Sequence, residues 1–441
     1  MVTKTKTAGK TGRSAELWAE RNRLVSSGSA AYAPLVIEKA KNALLWDVDG
    51  KEYVDFAGGI GAMNVGHCHP KVTQALREQA GKLTHMSFHV SAYPGYLALC
   101  RKLVDAFPGQ GPAKAILFNS GSEAIENAVK FARASTKRKG IVSFTNAFHG
   151  RTLLCLSLDG KYKPLRQGFG PGPAEIYRSL FPYPYRAPKG VAAADLTGHC
   201  LEALESLFVA DVAAEDVAAI VVEPVQGEGG FILPSPGFLK GLRAVCDKHG
   251  ILLIIDEIQT GFGRTGEMFA IEHEGVAPDL MTVGKSLGAG MPISGVVGKA
   301  PILDSAAAGA IGGTYGGNPM ACAASLAVFD IFKEEKLVES ARRIAKTVAV
   351  RFDSFRDRFP FVGDSRGLGA MRALELVRDK KSKAPLSAKD IVVRCVDKGL
   401  VILKAGANEN VIRTLMPLTI GEEELQRGLD ILEGVLEDYR P

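Results

Sequence analysis

The 441-residue sequence predicts an α/β protein: a large domain with a mostly parallel central sheet flanked by helices, followed by a small α+β domain. Three observations lead there. Seven short apolar runs, AILFN (115–119), IVSFT (141–145), LLCLSL (153–158), AAIVVE (218–223), ILLIID (251–256), LMTV (280–283) and SGVVG (294–298), alternate with helical patterns. Strands covered on both faces need runs of this kind, apolar throughout rather than alternating. Beyond about residue 325 the runs give way to long amphipathic helices mixed with short strands, which reads as a second layer system.

Taken in order, residues 14–35 read as an N-terminal arm with a short helix over 15–23. Residues 44–48 and 51–56 alternate as two strands joined through Asp49-Gly50, a strong hairpin signal. Segments 71–84 and 94–106 have helical spacing. Segments 168–173 and 182–189 are Gly/Pro-rich and read as loops. The C-terminal part reads as helices over 325–356, 386–397 and 421–437 with strands over 370–376, 399–404 and 411–416. The expected division is 1–70 as an arm and hairpin joining the small domain, 71–325 as the large domain and 326–441 as the small one.

Composition excludes several classes of function. The net charge is +6, but Lys4, Lys6, Lys10 and Arg13 supply four of those charges with no acid among residues 1–13, leaving +2 over the rest. That is too little to argue for nucleic acid. No apolar run approaches the roughly 18–20 residues that span a bilayer. Seven cysteines, odd in number and without a Cys-x-x-Cys, read as small hydrophobes in a reducing compartment. The Thr/Lys-rich start has no apolar core for a secretory signal, so a disordered start is expected, with a transit peptide as the alternative. A cytoplasmic protein is expected, without a membrane or nucleic-acid partner.

Chemistry gathers at the carboxyl ends of the apolar runs, where open α/β sheets bind ligands. Asp256 ends one run, Glu223 another, and Lys285 follows a third among glycines. Spacing alone allows a buried ion pair. It also allows a nucleophilic amine facing an acid that holds a heterocyclic nitrogen, the two halves of pyridoxal phosphate chemistry. Ser120-Gly121-Ser122 stands where a strand passes into a helix. The amides of Gly121 and Ser122 could hold a phosphate, or Ser122 could simply cap the helix. GFGRTG (261–266) matches G-x-G-x-x-G, but Glu257 to Thr260 separate it from its strand and no helix of small residues opens at Gly266, against a dinucleotide site. Thr314 lies in a glycine-rich turn, GGTYGGNP, uninformative alone. Residues 66–70, GHCHP, lack the spacing and carboxylates to close round a metal, so no metal is expected.

These segments together resemble the class III pyridoxal-phosphate aminotransferases of fold type I. The resemblance runs over about residues 44–425, through DFAGGIGAMNVGHCHPKV, NSGSEAIENAVKFAR, FHGRT, VVEPVQGEGGF, LLIIDEIQTGFGRTG, TVGKSLGAGMPISG, GGTYGGNPMAC, SRGLGAM and VIRTLMPLTI. It implies pyridoxal 5′-phosphate as cofactor, with Lys285 bonded to it and acting as base, and Asp256 on the pyridine nitrogen. It implies Gln259 on the ring oxygen, Gly121 and Ser122 on the phosphate, Phe148 on the ring face and Ile258 behind the ring. The family more often has Tyr and Val at the last two positions. Thr314 would reach the phosphate of a partner subunit, which requires a homodimer or a higher homo-oligomer. For substrate, the resemblance puts Arg151 on the carboxylate remote from the reacting amine and Arg413 on the α-carboxylate of glutamate or 2-oxoglutarate. Glu223 would neutralise Arg413 when that carboxylate is missing, with Ile60 beside the pocket. The implied activity is transfer of an ω-amino group from 4-aminobutyrate to 2-oxoglutarate. The alternatives are donors of the 5-aminovalerate, β-alanine, acetylornithine or ornithine type, a non-catalytic metabolite-binding regulator, and a nicotinamide dehydrogenase.

Overall fold

The computed structural model describes residues 12–440. Most of the basic tail, with Lys4, Lys6 and Lys10, lies outside the described residues, and so does nearly all of the expected disordered start. A seven-stranded sheet forms the centre, in the spatial order Ala113–Phe118, Ser294–Lys299, Leu280–Val283, Leu252–Asp256, Val217–Val222, Gly140–Phe144 and Ile176–Ser179. The last five pair in parallel, while Ser294–Lys299 runs antiparallel to both of its neighbours. Every residue of Val217–Val222 and of Gly140–Phe144 is buried, the burial that continuous apolar runs require.

Two four-stranded sheets accompany it. In one, the hairpin Leu44–Asp47 and Glu52–Asp55 is joined by Ile37–Lys41 on one side and, in parallel, by Leu400–Val401 on the other, so the N-terminal segment pairs with a C-terminal strand. The turn residue Asp49 accepts the amides of Arg13 and Ser14 at 2.9 and 3.0 Å, which seats the first turn of helix Arg13–Leu24. The other small sheet is antiparallel, in the order Val362–Leu368, Met371–Leu376, Val411–Thr414 and Leu403–Ala405.

Five expectations need correction. The single strand expected over 399–404 is two, Leu400–Val401 and Leu403–Ala405, in different sheets. LLCLSL (153–158) is a helix, not a strand. Leu154, Cys155, Leu156 and Leu158 are all buried, and a short segment covered on most sides has no periodicity to separate the two forms. The single helix expected over 325–356 is two, Pro319–Glu334 and Leu337–Arg358, broken where Lys336 takes a left-handed conformation (φ 50°). Strands Ile176–Ser179 and Val362–Leu368 were not anticipated. The first lies at the sheet's edge and is only four residues long, and the second, VGDSRGL, carries few apolar residues. Among the cysteines, five are buried, Cys100 is half-buried and Cys68 is exposed; all are free.

Candidate active site

Asp256 ends its strand beside Thr282, the residue paired with it in the next strand, and Lys285 follows two residues after that strand ends. Both line a pocket of about 410 Å³ at the carboxyl ends of the sheet strands. Ile60, Gly121, Ser122, Phe148, Arg151, Glu223, Ile258 and Gln259 line it as well. Ten of the twelve residues singled out in the sequence therefore meet in one cavity.

Asp256 is held from three sides. Its Oδ1 accepts from the Ile258 amide and the Thr282 hydroxyl, each at 3.1 Å. Its Oδ2 lies 2.8 Å from His149 Nδ1, and both side chains are buried. The His149 Nε2 has no hydrogen-bond partner among the described residues. Sequence reasoning passed over His149, although it stands between Phe148 and Arg151 in FHGRT; a histidine in the middle of a site motif was the available signal.

The helix Gly121–Thr136 is capped by Ser120, not Ser122: the Ser120 hydroxyl accepts the Glu123 amide at 3.3 Å while Glu123 accepts the Ser120 amide at 3.2 Å. Gly121 and Ser122 are thus left in the first turn, where amides lack intrahelical partners and the dipole favours an anion. Space there is closely defined. A Cβ on Gly150 would lie 2.1 Å from Ser122 Oγ, and one on Gly121 would lie 2.9 Å from Ile258 Cδ1.

Lys285 opens the short turn Lys285–Gly288 with φ 44°, a left-handed conformation that strains a residue with a side chain. Burial pushes its ammonium pKa down, partly opposed by Glu228 and Asp256. Ile60 is strained likewise. It sits at φ 63° within Gly58-Gly59-Ile60-Gly61, four successive residues in the left-handed region. Three glycines make that turn affordable; the β-branched Ile60 costs about 1–2 kcal/mol there.

Arg413 is fully buried on strand Val411–Thr414, and its acidic partner is Glu228 rather than Glu223. Its Nη1 lies 2.7 Å from Glu228 Oε1 and its Nη2 donates to Glu228 Oε2 at 3.0 Å. Glu223 is occupied elsewhere: it accepts the amides of Phe148 at 2.9 Å and Gly227 at 2.8 Å. Both acids belong to EPVQGEGG, and only the fold shows which one turns to an arginine 185 residues away. Glu228 also lines the pocket, as does Tyr32 from the N-terminal arm; neither was foreseen. Gln259 donates from Nε2 to Glu228 Oε1 at a long 3.4 Å, and its buried Oε1 has no hydrogen-bond partner among the described residues. Thr314 is exposed and does not line this pocket.

The remaining motifs are structural. Arg264 of GFGRTG is fully buried and donates to the Met416 and Leu415 carbonyls and to Asn64, tying the loop to the C-terminal segment. In GHCHP, His67 meets Asp55 and His69 meets Glu335, each at 2.8 Å, so the two imidazoles have separate partners. Among the described residues no cluster of His, Cys, Asp and Glu could hold a metal ion.

An anion cradle at one wall, a fixed buried acid at another and an amine with a lowered pKa suit a phosphorylated pyridine aldehyde, the chemistry of a pyridoxal-phosphate-dependent enzyme. The chain belongs to the class III aminotransferases, whose family model matches residues 25–436. It is 48% identical to a probable 4-aminobutyrate aminotransferase of Bacillus subtilis, covering 95% of this chain and 96% of that one. It is also 48% identical to a 5-aminovalerate aminotransferase of Pseudomonas aeruginosa (93% and 96% covered) and 45% identical to a 4-aminobutyrate aminotransferase of Escherichia coli (96% and 99%). Among solved structures, a thermostable (S)-enantioselective omega-transaminase from Thermomicrobium roseum superposes with TM-score 0.90 at 31% identity, over 97% of this chain and 99% of that one. A pyridoxal-phosphate-bound amine transaminase from an uncultivated Pseudomonas species superposes with TM-score 0.87 at 31% identity, over 94% and 98%.

Proposed function

We propose that this transaminase moves the amino group of 4-aminobutyrate to 2-oxoglutarate in two half-reactions, releasing succinic semialdehyde and then glutamate. The observation that carries this reading is the Arg413–Glu228 pair beside the pocket. 4-Aminobutyrate has one carboxylate, remote from its amine, and Arg151 at the pocket wall suits it. Arg413 would then be a buried, unpaired cation, and Glu228 neutralises it. Glutamate and 2-oxoglutarate carry a second carboxylate next to the reacting carbon. That carboxylate replaces Glu228 on Arg413 through a paired, charge-assisted contact.

When bound, pyridoxal phosphate supplies an electron sink conjugated to the substrate carbon. The chain's residues do the rest. Gly121 and Ser122 would hold the cofactor's phosphate, and Phe148, Ile258 and Gln259, which line the same pocket, would hold its ring. Asp256, oriented by His149, would hold a proton on the ring nitrogen. Lys285 would take up on its Nζ the proton lost from the substrate's amine-bearing carbon, and burial, which lowers its pKa, favours the free amine that this needs.

The reading includes a homodimer, with Thr314 reaching the partner's phosphate, and a cytoplasmic location. Among the described residues no helix is long and apolar enough to cross a membrane. A second reading, 5-aminovalerate as donor, draws on the Pseudomonas aeruginosa relative of equal identity; its substrate is one methylene longer with the same charges. A donor panel with 2-oxoglutarate decides between them. Glutamate formation fastest from 4-aminobutyrate supports the first reading. Faster turnover of 5-aminovalerate selects the second, and preference for N-acetylornithine or β-alanine overturns both.

A further inference from the structure

Phe148 and His149 stand side by side in the loop after strand Gly140–Phe144, and their consecutive backbone amides are taken by two different buried carboxylates. Phe148 N donates to Glu223 Oε1 at 2.9 Å, and His149 N donates to Asp159 Oδ1 at 2.6 Å. Glu223 spends its other oxygen on the Gly227 amide, 2.8 Å away, so one carboxylate ties the Phe148 loop to the loop that bears Glu228. Among the described residues Asp159 Oδ2 has no hydrogen-bond partner, and Asp159 does not line the pocket.

Burying two carboxyl groups to satisfy neutral amides is costly. Burial pushes both carboxyl groups up to about 7. The surroundings are built to keep Asp159 in place. Arg178 donates to the Asp159 and Ser157 carbonyls, each at 2.8 Å, and the Gly160 amide donates to the Ala147 carbonyl at 2.8 Å. A Cβ on Gly160 would lie 2.2 Å from the Asn146 amide nitrogen, so the two loops touch backbone to backbone.

We propose that Asp159 and Glu223 form a two-carboxylate clamp that sets the positions of Phe148 and His149 and, through His149 Nδ1, of Asp256. Asp159 is then a positioning residue for a cofactor ring it does not touch. What the clamp needs from Asp159 is one acceptor oxygen, since only one is used. The inference rests on pyridoxal phosphate lying against Asp256, and not on which amino donor the enzyme prefers.

The test strips the cofactor from the full-length enzyme and measures re-uptake of pyridoxal phosphate by fluorescence, alongside the pH midpoint of the bound cofactor's visible band. Asp159→Ala, with unchanged far-UV circular dichroism, weakens uptake roughly tenfold or more and moves the midpoint. Asp159→Asn, which keeps the acceptor, recovers uptake to within roughly threefold. Gly160→Ala presses on the same loop from outside and weakens uptake likewise, which keeps the test decisive if Asp159→Ala does not fold. Normal uptake and an unmoved midpoint in folded Asp159→Ala, or in Gly160→Ala, overturn the clamp. Asp159→Asn as poor as Asp159→Ala overturns the one-acceptor geometry. Wild-type enzyme that takes up no pyridoxal phosphate overturns the cofactor reading itself, and the clamp with it.

Discussion

Replacing Glu228 by alanine should damage one half-reaction and spare the other. Arg413 is fully buried, and both of its terminal nitrogens face Glu228, at 2.7 and 3.0 Å. Breaking a buried pair by removing one partner costs about 3–5 kcal/mol, because the surviving charge is left without compensation. The Glu228 side chain is 25% exposed, so water entering its place returns part of this, leaving about 2–4 kcal/mol. With 4-aminobutyrate bound, nothing else in the proposed complex neutralises Arg413, so the full penalty falls on that half-reaction. At about 1.4 kcal/mol per tenfold, the loss is roughly 30- to 700-fold in the apparent second-order rate constant. Glutamate brings its own carboxylate to Arg413 and needs Glu228 displaced in any case, so its half-reaction should change by no more than about threefold. Single-turnover stopped-flow absorbance on the loaded enzyme separates the two. Equal losses with both donors would refute the exchange of partners on Arg413. A matched Glu223→Ala enzyme supplies the control: Glu223 holds backbone amides, so both half-reactions should fall together.

Three further outcomes follow from the same geometry. Lys285→Ala should abolish turnover, by about 10⁴-fold or more in kcat, while an enzyme that still turned over 4-aminobutyrate at a normal rate would remove Lys285 from the proton-transfer role. Gly150→Ala drives a Cβ to 2.1 Å from Ser122 Oγ beside the anion cradle, so its apo-enzyme should bind pyridoxal phosphate at least roughly tenfold more weakly in an equilibrium titration. Asp159 predicts a pH signature. Its carboxyl is raised from 3.8 to about 7 in the folded state, so the folded protein holds a proton that the unfolded chain has released. The stability this group contributes therefore falls as pH rises from about 4 to about 7, by on the order of 4 kcal/mol at the ceiling. Asp159→Asn lacks that group, so its Tm relative to wild type should rise between pH 4.5 and pH 8, and a constant difference would contradict the assignment.

How much of this was legible before folding depends on whether the deciding contact is local. The central strands were readable because Leu252–Asp256 and Val217–Val222 are covered on both faces and so apolar throughout. The same uniformity made 153–158 unreadable, since a buried helix and a buried strand of six residues share one composition. The break at Lys336 has no glycine or proline to announce it. At the site, Asp256 and Lys285 declared themselves by ending apolar runs. The division of labour between Glu223 and Glu228 did not, because only four residues separate them while their partners come from different parts of the chain: Phe148 for one and Arg413 for the other. His149 was hidden for the opposite reason. Its partner Asp256 is 107 residues away, and its neighbours Phe148 and Arg151 drew the functional reading.

A half-reaction run without acceptor tests the central claim most directly. Enzyme loaded with pyridoxal phosphate and mixed with 4-aminobutyrate alone should release about one equivalent of succinic semialdehyde per active site, lose its visible absorbance and then stop, resuming only when 2-oxoglutarate is added. No aldehyde and an unchanged spectrum with 4-aminobutyrate, under conditions where glutamate bleaches the band, would contradict the account.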